Sequence, residues 1–430
     1  MATDTITATR GGVVAAQWPA LLLWAAVVGA AWAIGVHLNG IDPRMHVGAA
    51  PLVGSYDLRL GPGILPAATL GLAGAVWGPA LAARLRFGAL LAAAWGASAA
   101  WALVLASAGG AGAIAQPLTT RYEYLDAVDR VGSPGTFLRQ FLTELPTYPT
   151  HVRGHPPGMV LVLWALDRVG LGGADPAAAL VIGAGALAAP AALIALRELA
   201  GATQARAAAP FAVLVPGAVW MATSADALFA GVLAVGAALF ALACTRQGRA
   251  GDGFAAAAGL TLGAGLMLTY GALPFGAIVF AIALARRRVR PLVIAGTGVV
   301  AVLGVFWALG FFWPDGLRAT RDIALAGVVT RRPYAAFLLI SLAAFALAAG
   351  PASAAGLARL RDRGTWVLVG GALVAVALAD VSGLSRGETE RIWLPFLPWV
   401  AIAAAGLGRG WLGAQVLLAL ALQVGVRSPW

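Results

Sequence analysis

The chain has 430 residues, of which 60% are hydrophobic and only 11% are charged, and its mean hydropathy is +0.85. An ordinary soluble domain carries about 25% charged residues, so the composition excludes that class. The formal net charge of +11 comes from arginines that punctuate apolar runs and do not form one basic face. This pattern argues against a nucleic-acid partner and favours the positive-inside bias of membrane proteins.

Apolar runs long enough to cross a bilayer recur along the chain, and a spanning helix needs roughly 20 such residues. Because backbone polar groups in lipid must be paired within each segment, the runs predict helices and not strands. The predicted fold is an all-α polytopic integral membrane protein with about thirteen transmembrane helices. The predicted spans are 18–38, 61–82, 87–107, 177–196, 207–223, 226–244, 253–268, 271–285, 291–312, 334–354, 365–382, 391–408 and 411–427.

The distribution of arginine sets the predicted orientation. Residues 1–17 lack the features of a cleaved signal peptide and are predicted to form a cytoplasmic tail. The apolar run 158–166 is too short to span and is predicted to lie in the outer leaflet, since counting it as a span would move the arginines of 286–290 outside. The predicted protein is therefore a multi-pass plasma-membrane protein. Its outward-facing segments are 39–60, 108–176, 313–333 and 383–390.

Carboxylates of the outer segments are candidates for chemistry. The segment 108–176 is far longer than an ordinary loop, and loops longer than about 12–15 residues are usually functional or disordered. Glu123 and Asp126 lie three residues apart and are predicted to share one face of an amphipathic helix, either as part of a site or as a solvated face. Asp226 lies three residues after Thr223. It is either the acidic residue of a capping box whose N-cap is Thr223, or a carboxylate aimed at an outer cavity.

Cations of the outer segments are candidates for binding an anion. His151, Arg153 and His155 precede a proline pair and a short apolar helix, where they form either a site or an interfacial loop. Arg331 and Arg332 begin the tenth predicted span from outside, where positive-inside logic does not place paired arginines. Their planar guanidinium groups suit phosphate oxygens, and anchoring to lipid headgroups is the alternative.

The densest outward charge cluster contains Glu388 and Arg391, three residues apart at a helix start. A local ion pair explains their spacing, but four charges next to a spanning helix favour a functional role. The sequence contains no Gly-rich phosphate loop, HExxH, CxxC or nucleophile elbow, which disfavours nucleotide hydrolysis and zinc-protease chemistry. No nucleotide or redox cofactor is expected, and the sequence leaves open whether a divalent cation is used.

In the order and spacing of these residues, over roughly 87–410, the chain resembles the GT-C superfamily of polyprenyl-phosphate-sugar-dependent glycosyltransferases. These include protein O-mannosyltransferases, aminoarabinose transferases of lipid A, and actinobacterial mannosyl- and arabinofuranosyltransferases. The matching elements are Glu123 or Asp126 near the start of a long outer loop, His155-Pro156-Pro157-Gly158 at its end, and Thr223-Ser224-Ala225-Asp226. Gly158 replaces the usual Leu. The resemblance divides the chain into a tail with an extra hairpin, 1–82, and a GT-C-like catalytic region, 83–430, with the extracytoplasmic loop 108–176.

The resemblance implies an inverting glycosyltransferase that moves a sugar from a polyprenyl-phosphate donor to a hydroxyl of an extracytoplasmic acceptor, with the prenyl chain among membrane lipids. Glu123 is the expected general base, with Asp126 and the hairpin residue Asp57 as alternatives. Asp226 would orient the acceptor or help to hold a divalent cation. The expected residues for binding substrate and phosphate are Arg153, His155, Arg331, Arg332, Glu388, Arg391, Tyr124 and His151.

Two other functions remain open from the sequence. A transporter or flippase for a lipid-linked or anionic solute is favoured only by the break Gly271-Ala272-Leu273-Pro274, because broken helices are common in transporters. The charged clusters, however, lie at one predicted face and not at mid-span. A non-catalytic assembly subunit predicts that replacing the carboxylates has no measurable effect.

Overall fold

The computed structural model describes residues 17–222 and 224–429. The predicted tail, apart from Gln17, and Thr223 lie outside the described residues. The α-helices are α1 Gln17–Ile41, α2 Ile64–Arg84, α3 Phe87–Ala106, α4 Pro134–Glu144, α5 Thr150–Arg153, α6 Gly158–Arg168, α7 Ala174–Gly185, α8 Ala188–Ala200, α9 Ala202–Val213, α10 Ala225–Thr245, α11 Gly248–Leu268, α12 Ala272–Arg286, α13 Val289–Ala308, α14 Trp313–Ala326, α15 Tyr334–Ala349, α16 Pro351–Leu357, α17 Arg363–Val381, α18 Thr389–Ile392, α19 Leu397–Ala401 and α20 Arg409–Gly425. The strands are β1 Val47–Gly48, β2 Gly54–Tyr56 and β3 Val426–Arg427.

The long helices have the length and composition of membrane spans. Within the described residues, eight helices are long and apolar enough to cross a membrane, or nine if α15 and α16, bent by 97°, form one broken span. The short strands cannot cross a bilayer. By the length and composition of its helices, the chain is an all-α polytopic membrane protein.

Some predicted spans are not continuous helices. In the predicted span 207–223, α9 ends before Pro216, which begins a 3₁₀ segment. The predicted span 391–408 divides into short helical pieces that begin around Pro395 and Pro398. Proline lacks the N–H that would continue the hydrogen-bond ladder, and its ring clashes with the preceding turn. The prediction of unbroken helices there was wrong, and the total of thirteen spans stays a prediction.

The centre of the bundle is α10. Over an apolar stretch of 18 residues in α10, 78% of the residues are buried, whereas the same fraction is 11% in each of the peripheral helices α1 and α13. Small residues permit the close approach of its neighbours, since a Cβ atom on Gly231 would clash with the backbone carbonyl of Ala184. A Cβ atom on Gly259 of α11 would likewise clash with the backbone of Ala295 in α13. Glycines thus let α10 approach α7 closely, and let α11 approach α13.

Hydrogen bonds and ion pairs between loops divide the loops into two groups, one at each end of the bundle. At one end, Arg206 donates hydrogen bonds to backbone carbonyls at the end of α2, and Arg246 pairs with Glu198 at 2.8 Å. At the other end, the Thr320 hydroxyl of α14 donates to the Arg153 carbonyl of α5 at 3.0 Å. This grouping agrees with the two sides predicted from the arginines. We call the second end the outer end, and its extracytoplasmic location stays a prediction.

A small sheet joins the first outer segment to the last described residues. The strand order is β1-β2-β3, with β1 parallel to β2 and β3 antiparallel to β2, and Ser55 lies opposite Arg427. Arg59 donates to a backbone carbonyl of β3 at 2.6 Å. Below the sheet, Ala67 of α2 and Val416 of α20 belong to the same apolar core. The N-terminal hairpin thus packs directly onto the rest of the bundle.

Candidate active site

Ionisable side chains from distant parts of the chain meet next to the first turn of α10. We call this group the polar cluster: Glu123, His151, Asp226, Glu388 and Arg391. Glu123 lies in a turn of the long outer segment, His151 in α5, and Asp226 in the first turn of α10. Glu388 and Arg391 lie at the start of α18. All but Glu388 are buried.

Arg391 is the centre of the polar cluster. Its Nη1 donates to Asp226 Oδ2 at 2.6 Å, and its Nη2 donates to Glu388 Oε2 at 2.6 Å. The same Nη2 lies 2.9 Å from His151 Nε2. Only 4% of the Arg391 side chain is exposed. The local pair with Glu388 that the spacing predicted is present, but Arg391 also joins two segments remote in sequence.

A hydrogen-bonded chain links Arg391 to Glu123. Because Arg391 donates to His151 Nε2, the other ring nitrogen carries the hydrogen that His151 donates to Glu123 Oε1 at 2.7 Å. The second oxygen of the carboxylate, Glu123 Oε2, is buried and has no hydrogen-bond partner among the described residues. A buried carboxylate oxygen without a partner is costly. Glu123 therefore has one oxygen fixed in place and one available as a proton acceptor.

Asp226 is held by the start of its own helix. Ser224 is the N-cap, and its hydroxyl accepts from the Asp226 N–H and donates to Asp226 Oδ2 at 2.5 Å. His155 Nε2 lies 3.9 Å from Asp226 Oδ1. Burial lowers the pKa of His155, and the charge of Asp226 acts in the opposite direction. His155 is thus a neutral neighbour of the cluster at ordinary pH.

Tyr124 forms an aromatic wall of the cluster. Its ring is buried and lies 6.3 Å from the His151 ring and 5.9 Å from the His155 ring, between ring centroids. Burial raises the pKa of Tyr124 well above its usual value, and the nearby carboxylates act in the same direction. The hydroxyl of Tyr124 therefore stays protonated and neutral.

Glu388 lies in a strained turn that packs against a second buried arginine, Arg332. Gly387 and Glu388 both have positive φ, +88° and +64°, and a non-glycine residue is uncommon there. The guanidinium of Arg332 packs against Gly387, because a Cβ atom there would lie 2.7 Å from Arg332 Nη1. Arg332 donates to the backbone carbonyls of Met45 and Arg386. Burial lowers the pKa of Arg332, while Glu388 and Glu390 raise it.

A cavity of about 510 Å³ opens beside the polar cluster. His151, Glu388 and Arg332 form its inner wall, and the rest comes from the outer segments and β3. The volume lies within the range of ligand pockets, roughly 300–1,000 Å³. The full lining consists of Asn39, Pro43, His46, Gly48, Val53, Gly54, Ser55, Tyr122, Thr150, His151, Val328, Arg332, Glu388, Arg427 and Pro429.

Four predicted site residues make no contact with the polar cluster. Asp126 is exposed on a 3₁₀ segment, Leu125–Arg130, that begins after Glu123, so the two carboxylates do not share a helix face as predicted. Asp57 lies 3.8 Å from Arg427 in an exposed pair. Arg331 is exposed and lies 3.4 Å from Asp42. Arg153 binds the hydroxyl of Thr150.

The sequence did not single out Glu390. Its side chain is buried, Oε1 accepts from the Val53 N–H at 3.2 Å, and Oε2 has no partner among the described residues. Burial raises the pKa of Glu390 to about 7. The only sequence feature that pointed to Glu390 was its position between Glu388 and Arg391. The departure from the family pattern at Gly158 also has a cause, since a Cβ atom there would clash with the backbone carbonyl of Met267.

The polar cluster does not have the geometry of a metal site. Across residues 17–222 and 224–429, no group of three or more His, Cys, Asp or Glu side chains could hold a metal ion. Arg391 occupies the space between Asp226 and Glu388, where a cation would have to bind. The side chains present therefore favour chemistry by proton transfer and guanidinium charge.

Comparisons with known proteins show a similarity to a solved structure. No protein-family model matches the chain, and no curated protein matches it. Among solved structures, the chain is similar to the crystal structure of ArnT from Cupriavidus metallidurans in the apo state. The TM-score is 0.34 and the sequence identity 17%, with 75% of this chain and 77% of that chain covered. At this TM-score the similarity identifies no activity, and the chemistry follows from the side chains of the polar cluster.

Proposed function

We propose that the protein is a membrane glycosyltransferase of the GT-C type. It transfers a sugar from a polyprenyl-phosphate donor to the hydroxyl of an extracytoplasmic acceptor, which is a cell-envelope glycan, a glycolipid or a protein. The observation that carries the proposal is the Glu123 carboxylate: one of its oxygens is held by His151, which also lines the cavity, and the other is buried without a hydrogen-bond partner among the described residues. Such a group is suited to general-base catalysis.

Glu123 is the proposed general base. Its Oε2 takes the proton of the acceptor hydroxyl as the hydroxyl oxygen forms a bond to the anomeric carbon of the sugar. The bond from that carbon to the phosphate oxygen breaks, and its electron pair leaves with the phosphate. Inversion follows because the acceptor attacks the face opposite to the leaving group. His151 fixes the orientation of Glu123 through the 2.7 Å contact and is a positioning residue.

Arg332 is the proposed partner of the departing phosphate. It lines the cavity, it is buried, it donates to backbone carbonyls, and among the described residues it forms no ion pair with a carboxylate. Arg391, which the sequence assigned to the phosphate, already holds Asp226 and Glu388. We therefore assign Arg391 to fixing those carboxylates and Arg332 to stabilising charge on the leaving group.

The remaining details of the proposal come from the sequence. The protein resides in the plasma membrane with its N-terminus in the cytoplasm and the polar cluster outside. The donor's prenyl chain lies between helices, and Asp226 orients the acceptor hydroxyl. The sugar is a mannosyl, arabinofuranosyl or related unit of the kind that the resembling families transfer.

The variant Glu123→Gln tests the proposal. Purified protein in nanodiscs is incubated with a panel of radiolabelled polyprenyl-phosphate sugars and membrane-extracted acceptors, and product formation is measured. We expect a fall of at least about 100-fold, because general-base catalysis contributes roughly 10²- to 10⁴-fold. Thermal unfolding of the variant should stay close to that of the wild type, because Gln keeps the shape of the side chain.

Two carboxylates of the same segment provide controls. Asp129→Asn removes an exposed charge close in sequence and should leave transfer unchanged. Asp126→Asn removes the alternative base of the sequence analysis. Full transfer by Glu123→Gln together with loss in Asp126→Asn would reassign the base. Unchanged transfer in both variants would exclude both carboxylates as the base, whereas no transfer by the wild-type protein with any donor would support a non-catalytic subunit.

The sequence feature that favours a transporter falls in a connection between two helices. The break after Tyr270 lies in the short segment between α11 and α12, close to Gly158 and Trp313 at the outer end. The polar cluster also lies at this end. Transfer of label to an acceptor in detergent, where no membrane separates two compartments, distinguishes an enzyme from a transporter.

A further inference from the structure

The outer wall of the cavity comes from two parts of the chain that the transfer reaction does not use. His46 and Ser55 belong to the outer segment of the N-terminal hairpin, and Arg427 belongs to β3. The pairing of β2 with β3 fixes Ser55 opposite Arg427. The cavity therefore has a catalytic side, at His151 and Glu388, and a separate side built by the sheet.

Two arginines, Arg332 and Arg427, line the cavity, and among the described residues neither forms an ion pair with a lining carboxylate, although Glu388 and Glu390 lie close enough to raise the pKa of Arg332. Glu388 is its one lining carboxylate among the described residues, and the 2.6 Å pair with Arg391 satisfies it. Arg332 is buried and donates to carbonyl oxygens only. Arg427 has a loose partner in Asp57, at 3.8 Å and largely exposed. A guanidinium that lines a cavity without a close carboxylate partner can bind the phosphate or carboxylate of a ligand.

The sheet side also offers groups that bind hydroxyls. Ser55, His46, Tyr122 and Thr150 line the cavity, and each has a side chain that donates or accepts hydrogen bonds. Asn39, in the last turns of α1, is the only lining residue within a spanning helix among the described residues. These side chains suit a headgroup that carries hydroxyls.

We propose that the sheet side of this cavity is the acceptor subsite, and that it takes a hydroxyl-bearing headgroup with an anionic phosphate or carboxylate next to Arg427. Arg332 then serves the donor phosphate and Arg427 the acceptor, so each substrate has its own guanidinium. The N-terminal hairpin and β3 determine which acceptor is used. The assignment of the headgroup to the acceptor rests on the proposed transfer reaction.

Protection of a cysteine from labelling tests the subsite without turnover. The chain has one cysteine, Cys244, which is buried, so Ser55→Cys provides the accessible thiol. The rate of maleimide labelling is measured with glucose 6-phosphate, with neutral glucose, and in nanodiscs of phosphatidylglycerol or phosphatidylcholine. We expect about tenfold slower labelling when the anionic probe is at ten times its Kd, because the free fraction is 1/(1+[L]/Kd). Thr119→Cys, exposed and outside the cavity lining, should show no protection.

The anionic probes identify the source of the headgroup. Protection by glucose 6-phosphate or by phosphatidylglycerol supports the proposal, and the stronger of the two shows whether the headgroup is a soluble sugar phosphate or a lipid. Arg427→Gln should abolish protection. Arg44 is an exposed arginine of the outer segment that contains Ser55, and Arg44→Gln should retain protection. Equal protection by neutral glucose, or protection that survives Arg427→Gln, overturns the proposal.

Farnesyl phosphate separates the acceptor subsite from the donor site. We expect protection by glucose 6-phosphate to persist at saturating farnesyl phosphate, because the two phosphates bind different arginines. If farnesyl phosphate alone protects Ser55→Cys and competes with the sugar phosphate, the whole cavity belongs to the donor and the acceptor assignment is wrong. These results do not depend on transfer, so they stand apart from the outcome for Glu123→Gln.

Discussion

The variant Arg391→Leu tests whether the polar cluster is an interdependent buried network. Leucine fills much of the space but removes the donor that holds Asp226 and Glu388 and contacts His151. Asp226 then becomes a buried carboxylate whose charge is no longer compensated. The Asp226 side chain is 4% exposed and its bond to Arg391 is 2.6 Å long, so solvent screens little of this loss.

The expected cost is large. Removing one partner of a buried ion pair destabilises a protein by about 3–5 kcal/mol, because it leaves an uncompensated charge. Glu388, whose side chain is 25% exposed, adds less, because water replaces part of its lost partner. We therefore expect Arg391→Leu to lower the free energy of unfolding by about 3–5 kcal/mol, most of it from Asp226.

Equilibrium unfolding in mixed micelles, followed by tryptophan fluorescence, measures this cost. The matched control is Arg318→Leu, which breaks an exposed pair with Asp315 whose side chains are 74% and 51% exposed. Exposed pairs contribute about 0–1 kcal/mol, so this control should stay close to the wild type. The double variant Asp226→Asn/Arg391→Leu should recover part of the loss, because it removes the unpaired charge.

A loss in Arg391→Leu no greater than in Arg318→Leu would refute this reasoning. The same conclusion would follow if the double variant lost the sum of the two single losses. Either result would mean that the charges are solvated or protonated and do not form a buried network.

Two further predictions concern the turn around α18. Because burial raises the pKa of Glu390 from its usual value of 4.5 to about 7, its contribution to stability is full below about pH 4.5 and is lost as the pH rises through 7. Glu390→Gln keeps the acceptor for the Val53 N–H, so its unfolding free energy should vary less over pH 4.5–7 than that of the wild type; parallel curves would contradict the assignment. Alanine in place of Gly387 is strained at φ +88° and pushes Arg332 out of place. We therefore expect Gly387→Ala to lower transfer several-fold. Unchanged donor affinity in this variant would exclude the phosphate role of Arg332.

The sequence predicts the class of fold because apolar length is a local property. Long runs such as 226–244 became the continuous helix Ala225–Thr245. Runs that contain proline became broken elements, because hydropathy does not record the missing N–H of Pro216 or Pro398. Helix existence was therefore predictable, whereas helix continuity was not.

The sequence also predicts much of the polar cluster but not its arrangement. Glu123, Asp226 and Arg391 were chosen because ionisable groups beside spanning helices are usually functional, and the structure brings them together. Which of two neighbouring arginines is buried depends on tertiary packing, so Arg331 and Arg332 could not be distinguished. The exposure of Asp126 depends on where a 3₁₀ segment starts, which spacing alone does not determine.

The sheet was beyond sequence reasoning for a different reason. Its strands have two or three residues, too few to show an alternating pattern, and its partners are separated by most of the chain. The cavity wall that contains Ser55 and Arg427 follows from this pairing alone.

The pairing of β2 with β3 has a consequence for biogenesis. Membrane helices enter the bilayer in the order of synthesis, so Gly54–Tyr56 emerges long before Val426–Arg427 is made. Until that last strand arrives, the early segment has an unpaired edge and the cavity has no outer boundary. A chain that stops between Arg391 and Val426 thus has the residues of the polar cluster but lacks the part of the cavity wall that β3 supplies.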